Sequence, residues 1–489
     1  MATSYAELTE AFQLDSKPHQ AHCVDWCLKC EANNHGGLIA DEMGLGKTIQ
    51  IIALLHANPQ PNTLIVVPVA LLDQWYDTLN TLSSSPTIQT HLNPILYHGS
   101  KRKHQLSKVV SLSPNTVTIT TYGEISRTRS RTNRTPASPL HDIKWSRVVF
   151  DEAHHLRNPN TNTHRASLQL SAKVKWLLTG TPIQNSRRDF DSLCAVIGVP
   201  RNLELKQLAR TYLLKRTKKQ LAIPMPELNE ETIQVSWDTN QAEQVVAQQL
   251  HQRVGFQETD TATRITNIRI PECASGSRLV EYLRARQICV LPELLKGKFH
   301  TDQPDEAPTF AQATPIATDT FLETATSSSS KIDAVVAHIK EHAGRKIVFC
   351  EFHKEMDAIE QRLTTTQQQT HPKCLRLVVG RIDGTTPPEL RKAILRSHLI
   401  DVLLLQIRTC SEGLNLQDYT SIYINTPQWN PCVESQAIAR AYRIGQTKPV
   451  NVYRFIMDSR SLGLTETMEM RVMERQQMKI EQAKIIDTA

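Results

Sequence analysis

The sequence predicts an α/β protein of two parallel-sheet lobes, with a helical insertion between them and a bracing helix at the C-terminus. Short apolar runs alternate with amphipathic stretches up to about residue 200 and again after about residue 345. The runs are apolar throughout rather than at every second position, the pattern of strands buried on both faces between helices. In the first block they are Leu38-Ile39-Ala40, Leu64-Ile65-Val66-Val67, Val117-Thr118-Ile119-Thr120, Val148-Val149-Phe150 and Trp176-Leu177-Leu178. In the second they fall at 346–349, 375–379, 402–405, 422–424 and 452–455. With 489 residues and about 150 per domain, roughly three units are expected.

The lobes are assigned to residues 1–200 and 331–458. Between them, 201–297 is rich in Gln, Leu and Arg and reads as a helical insertion, and 298–330 is a Thr/Ser/Pro/Ala-rich linker without periodicity. Residues 459–489 carry methionines at helical spacing and read as a helix braced on the second lobe.

Composition removes several classes. No apolar run approaches the roughly eighteen residues of a spanning helix. The opening segment MATSYAELTEAF lacks the basic stretch and apolar block of a secretion signal, so an intracellular location is expected. The ten cysteines are scattered, as in a reducing compartment. Cys23, Cys27 and Cys30 lie near His19, His22 and His35, a set compatible with a metal site or with a buried cysteine-lined helix face. Spacings of four and three beside Trp26 and Leu28 favour the helix face. A formal charge of +7 permits a nucleic-acid partner without demanding one. The basic loop at 127–142, with Arg127, Arg129, Arg131 and Arg134, reads as a solvated insertion, with a DNA-backbone contact as the sharper alternative.

The chemistry is carried by two segments. Asp41, Glu42, Met43, Gly44, Leu45, Gly46, Lys47 and Thr48 follow a strand and precede the helix-like Ile49-Gln50-Ile51-Ile52. That is the context of a phosphate-binding loop. Gly44 and Gly46 let backbone N–H groups close around phosphate oxygens, and the helix N-terminus adds positive potential. Lys47 is expected to neutralise the β- and γ-phosphates of ATP, and Thr48 to hold Mg²⁺. The strict pattern requires Gly at position 41, where this chain has Asp. Downstream, Val148-Val149-Phe150 runs into Asp151-Glu152-Ala153-His154. Asp151 at a strand end is assigned to the Mg²⁺ and Glu152 to the attacking water.

DEMGLGKT and DEAH, followed by Leu178-Thr179-Gly180-Thr181-Pro182-Ile183-Gln184-Asn185, together resemble superfamily 2 helicase-type ATPases, and more narrowly the SWI/SNF-related DNA translocases. In that family Asp41 is the usual residue. The resemblance covers nearly the whole chain and implies two RecA-like lobes. Lys17-Pro18-His19-Gln20 is similar to the segment whose Gln reads adenine, which implies that role for Gln20. Leu64-Ile65-Val66-Val67-Pro68 with Gln74-Trp75, Thr120-Thr121-Tyr122, Leu214-Lys215-Arg216-Thr217-Lys218 and 283–289 resemble further family motifs in order. In the second lobe so do 383–386, Ser411-Glu412-Gly413-Leu414-Asn415-Leu416, Trp429-Asn430-Pro431 and 436–446. The resemblance places Gly413 among the nucleotide contacts, and Gln436, Arg440 and Arg443 in catalysis. Spacings of four and three predict these last three on one helix face. From there two guanidinium forks are expected to face the γ-phosphate across a cleft. Tyr442 stands where the family has His, and Cys410 and Glu412 replace small residues. Only Cys273 and Cys289 lie between 217 and 331, too few for a RING finger.

The resemblance implies a DNA-dependent ATPase that moves on double-stranded DNA and remodels protein–DNA complexes. A targeting partner protein and, in a eukaryote, a nuclear location go with it. Residue spacing alone also allows a strand-separating DNA or RNA helicase. A nucleic-acid-binding protein with a decayed ATPase site is the alternative from another class; intact Lys47, Asp151, Glu152, Arg440 and Arg443 argue against it.

Overall fold

The computed structural model describes residues 2–11, 13, 15–84, 92–110, 114–127, 138–183, 187–199, 203–237, 240–256, 278–296, 298, 323–325, 329–365, 377–411 and 414–483. The chain divides into two compact units, Met1–Met225 with Lys479–Ala489, and Pro226–Met478.

The first unit is built on a sheet of order β3-β4-β2-β5-β6-β1-β7. Its strands are β1 (Gly37–Ile39), β2 (Asn62–Val67), β3 (Asn93–Leu96), β4 (Thr116–Thr121), β5 (Trp145–Phe150), β6 (Ala172–Leu178) and β7 (Leu213–Leu214). Every pairing in it is parallel. The apolar runs are continuous because successive side chains feed two different cores. Ile65 and Val67 pack with the helices Pro18–Ala32, Lys47–Ala57 and Leu72–Ser83. Leu64 and Val66 enter the opposite cluster with Val148, Phe150 and Phe190. Cys23, Cys27 and Cys30 are buried on the first of these faces. Among the described residues no group of three metal-ligating side chains occurs.

The second unit repeats the plan with the order β10-β11-β9-β12-β13-β8. Its strands are β8 (Leu228–Val235), β9 (Lys346–Cys350), β10 (Val379–Ile382), β11 (Val402–Gln406), β12 (Ser421–Ile424) and β13 (Val450–Met457), again all parallel. The run expected at 375–379 is shifted: β10 starts at Val379, and residues 366–376 lie outside the described set.

The segment 201–297, expected to be a helical insertion, is mixed. β7 closes the first sheet against β1, and β8 pairs with β13 along its whole length. β8 escaped the sequence pattern because it is an edge strand, exposed from residue 229 to 232, and so lacks the apolar run of a central strand. The helices Gln241–Arg253 and Arg278–Val290 join the second unit's core, where Val246, Leu250 and Ile288 meet Val335 and Met457. Residues 257–277 and most of the expected linker fall outside the described set. The C-terminal helix Met468–Ala483 buries Met468 in the same core, and its Val472 is also buried. Its Glu469 accepts from Lys331 Nζ at 2.5 Å and from the Met457 N–H at 3.0 Å. Among the described residues no helix is long and apolar enough to cross a membrane.

One buried acid gives this unit a pH signature. Glu243 accepts from the Ser330 hydroxyl at 2.8 Å and the Ser330 N–H at 3.2 Å. Burial outweighs those bonds and pushes its carboxyl up to about 7. A raised acid binds its proton more tightly in the folded state, so stability is greatest below the unfolded value. It falls as pH rises toward 7. The loss is on the order of 3 kcal/mol. Glu243→Gln should flatten that slope between about pH 5 and 7, as read by chemical denaturation across the range. An unchanged slope would show that Glu243 does not carry it.

Candidate nucleotide and catalytic site

In a parallel sheet all carboxyl ends open at one edge, where α/β proteins place their ligands. The sheet order sets the exits of β5, β6 and β1 side by side at that edge. From β1 the chain turns through residues 41–46 into the helix Lys47–Ala57. Gly44 and Gly46 have φ of 88° and 85°, values that favour glycine. At Gly46 a Cβ would also stand 2.3 Å from Gln20 Nε2. The loop is braced from below. The Leu45 carbonyl accepts from His19 Nε2 and Gln20 Nε2, both at 3.1 Å. The other end of the Gln20 amide, Oε1, accepts from the Tyr5 hydroxyl at 2.7 Å. Lys47 Nζ donates to the Asp41 carbonyl at 2.7 Å and approaches that of Glu42 at 3.5 Å. Thr48 is the next residue on the helix.

Asp41, the departure from the strict loop pattern, is an anchor. Its carboxylate is fully buried and takes a forked bond from Arg216, Nε at 3.0 Å and Nη2 at 2.5 Å. Gln50 Nε2 adds a third bond at 3.1 Å. Arg216 continues to the His19 carbonyl at 2.7 Å. Beside it, the Glu42 N–H donates to the Arg216 carbonyl at 2.9 Å, and the Glu42 carboxylate accepts from the Lys218 N–H at 2.8 Å.

From β5 the chain emerges at Asp151 and Glu152. Trp75 Nε1 donates to Asp151 Oδ2 at 2.8 Å, the Glu152 N–H donates to Oδ1 at 2.9 Å, and the Tyr122 hydroxyl holds the Asp151 carbonyl at 2.7 Å. Burial, and then the neighbouring Glu152, push the Asp151 carboxyl up to about 6, while Trp75 and Lys47 favour its charged form. Lys47, 104 positions away in the numbering, thus acts on Asp151 electrostatically. Glu152 sits at φ 51°, a strained conformation of the kind stored at functional sites. His154 Nδ1 lies 3.3 Å from its Oε2. From β6, Gly180 comes so near the loop that a Cβ there would stand 2.7 Å from Met43 Cγ and 3.6 Å from Lys47 Nζ. Gln184 and Asn185 lie outside the described residues.

In the second unit Gln436 is buried on the helix Pro431–Ile438. The single helix face expected for Gln436, Arg440 and Arg443 is not present: the helix stops at Ile438, and both arginines lie in the turns that follow. Past Ile438 the ladder tightens, with the Arg440 and Ala441 N–H groups donating to the Ala437 and Ile438 carbonyls and that of Arg443 to Ala441. The Arg440 carbonyl accepts from the Leu416 N–H at 3.0 Å, and that of Ala441 from Gln446 Nε2 at 3.1 Å, so no helix resumes beyond them. Gly445, at φ 97°, completes the turn. Burial and the adjacent Arg440 together lower the Arg443 guanidinium below its ordinary value. Two half-buried cations side by side favour an incoming anion. Gly413 and Glu412 are outside the described residues. Tyr442 donates to the Pro226 carbonyl at 3.0 Å, so the departure from His supports the start of β8.

Sequence reasoning did not find Arg216 as the Asp41 partner, Trp75 and Tyr122 as supports of Asp151, or Tyr5 behind Gln20. The one signal for the first was the acidic residue at position 41.

Residues 19–204 match the SNF2-related domain, and 330–445 match the helicase conserved C-terminal domain. The chain belongs to the SNF2-related family of helicase-like ATPases. It is 25% identical to the DNA repair protein RAD5B of Arabidopsis thaliana, over 86% of this chain and 44% of that one. It is 27% identical to a probable global transactivator of Orgyia pseudotsugata multicapsid polyhedrosis virus, over 90% of this chain and 86% of the viral one. A solved structure, the Sulfolobus solfataricus SWI2/SNF2 ATPase core in complex with dsDNA, matches over 97% of this chain and 95% of that one, at 21% identity and a TM-score of 0.39. Apart from the viral protein, the chain spans 39–55% of the length of the curated relatives it matches. This SNF2-related chain keeps the loop lysine, the strand-end carboxylates and the paired arginines of its motifs.

Proposed function

We propose that the chain hydrolyses ATP in a DNA-dependent manner, moves along double-stranded DNA and remodels protein–DNA complexes. The observation that carries this reading is the sheet order, which brings the Lys47 loop, with its glycines at φ near 90°, and the Asp151 strand end to the carboxyl edge of one parallel sheet. Gln20 contacts the adenine. Residues 41–48 cradle the phosphates, with Lys47 opposing their charge. Thr48 and Asp151 fit a Mg²⁺ ion, which would supply Lewis-acid neutralisation of phosphate oxygens. Glu152 orients the attacking water and takes its proton, and Arg440 and Arg443 stabilise the charge that develops on the transferred group. Because the arginines belong to the second unit and the loop to the first, hydrolysis requires the lobes to close, and cyclic closure drives movement. Targeting falls to a partner protein, and in a eukaryotic cell the work is nuclear.

The Arg127 side chain is bonded to Glu124 at 3.2 Å; Arg129, Arg131 and Arg134 lie outside the described residues. That loop is read as a solvated insertion, with a contact to DNA phosphates as the alternative. The test measures ATPase rate without nucleic acid and with single-stranded DNA, duplex DNA and RNA, at two salt concentrations. Stimulation by duplex DNA that weakens with salt is expected. Equal rates in all four arms would overturn DNA dependence. Release of a labelled strand from plain duplex would replace the translocase by a strand-separating helicase.

A further inference from the structure

We propose that Tyr5 is a positioning residue for nucleotide choice, fixing which end of the Gln20 amide faces which way. The inference rests on the reading above that Gln20 contacts adenine. Tyr5 and Leu8, on the helix Ala2–Ala11, are buried among Ile51, Ile52 and Leu55 of the helix that carries Lys47. Glu7 Oε2 meets His56 Nε2 of that helix at 3.0 Å. The segment therefore packs on the helix that carries Lys47 and reaches Gln20, although the SNF2-related match begins only at residue 19.

The hydrogen-bond chemistry leaves one arrangement. The Lys17 N–H donates to the Tyr5 hydroxyl at 3.0 Å, so the phenol directs its own proton to Gln20 at 2.7 Å. The group receiving that proton must be the amide oxygen. The opposite end faces the Leu45 carbonyl at 3.1 Å, which can only accept, so it must be the NH₂ group. Both ends are specified from buried positions. One oxygen lone pair and one N–H remain. A purine edge with an amino donor beside a ring-nitrogen acceptor satisfies both, as adenine does with N6 and N7. Guanine offers two acceptors there, O6 and N7, and leaves the amide oxygen facing another oxygen. Without the phenol proton, the amide keeps only the Leu45 anchor and can turn.

The test compares the unmodified chain with Tyr5→Phe, Gln20→Ala and the double variant. It titrates fluorescent ATP and GTP analogues and measures kcat and KM for each nucleotide. Phenylalanine retains the ring that fills the core, so the fold should be kept. Loss of one buried hydrogen bond should raise the Kd for ATP roughly fivefold. The GTP Kd and kcat should stay within about twofold, and Tyr5→Phe should add nothing on the Gln20→Ala background. Equal weakening of ATP and GTP, additive losses in the double variant, or a fall in kcat at constant KM would each overturn the role. A Gln20→Ala variant that binds ATP normally would instead reject the adenine reading of Gln20 on which the role stands.

Discussion

Lys47→Ala should lower ATP turnover by about 10²–10³-fold, the scale of deleting one preorganised charged donor from a transferring group. The argument begins with where the side chain sits. Lys47 opens the helix Lys47–Ala57 directly after the left-handed Gly46, so its amine is delivered to the loop rather than to the core. Its amine bonds main-chain carbonyls of the loop itself, Asp41 at 2.7 Å and Glu42 at 3.5 Å. Lys47 is only part-buried, so its removal admits water to these carbonyls, and alanine is a good first-turn residue; the fold should lose little. Function should lose much, because the variant removes the cation proposed to oppose the phosphates, which also favours the charged form of Asp151. The check is kcat with DNA present, beside a thermal unfolding curve. Near-normal turnover with an unchanged melting temperature would remove Lys47 from the site.

The central strands were legible because physics marks them twice. Ile65 and Leu64 enter opposite cores, and only residues apolar on both faces can do that. β8 was not legible, since one edge and much of its surface meet solvent, and Asn229, Glu230, Glu231 and Thr232 read as loop or helix. The arginine pair shows a different limit. Arg440 acts on Arg443 electrostatically, but the shared helix face that spacing predicts for them is absent. The helix that was to present them ends at Ile438, and the turns beyond it are held by Leu416 and Gln446, which take the Arg440 and Ala441 carbonyls. Local periodicity carries no information about such tertiary competitors. Asp41 is the converse case: the residue that looked like a defect in the loop pattern is the one that ties the loop down.

That tie is the source of the second large effect. Arg216→Ala should destabilise the first unit by about 3–5 kcal/mol, the cost of leaving a buried charge without its partner. Asp41 is 0% exposed, and its two oxygens receive Arg216 at 3.0 and 2.5 Å. Burial alone would depress the Arg216 guanidinium; the forked bond to Asp41 instead holds it above its ordinary value. Lysine cannot reproduce the fork, so Arg216→Lys should recover only part of the loss. The main-chain bonds of the same segment, Ala40 N–H to the Leu214 carbonyl at 2.7 Å and Glu42 N–H to that of Arg216 at 2.9 Å, do not depend on the side chain. The variant therefore isolates the charge. Neutralising the other partner should then rescue: Asp41→Asn on the Arg216→Ala background should be more stable than Arg216→Ala alone, because an amide is far cheaper to bury unpaired than a carboxylate. ATP affinity should follow stability in these variants, since Asp41 and Lys47 share one loop and Lys47 rests on the Asp41 carbonyl. Chemical denaturation of the first unit and ATP titration on all four proteins decide the matter. A loss below about 1 kcal/mol, the range of a surface ion pair, would mean that Arg216 merely decorates the loop instead of holding it.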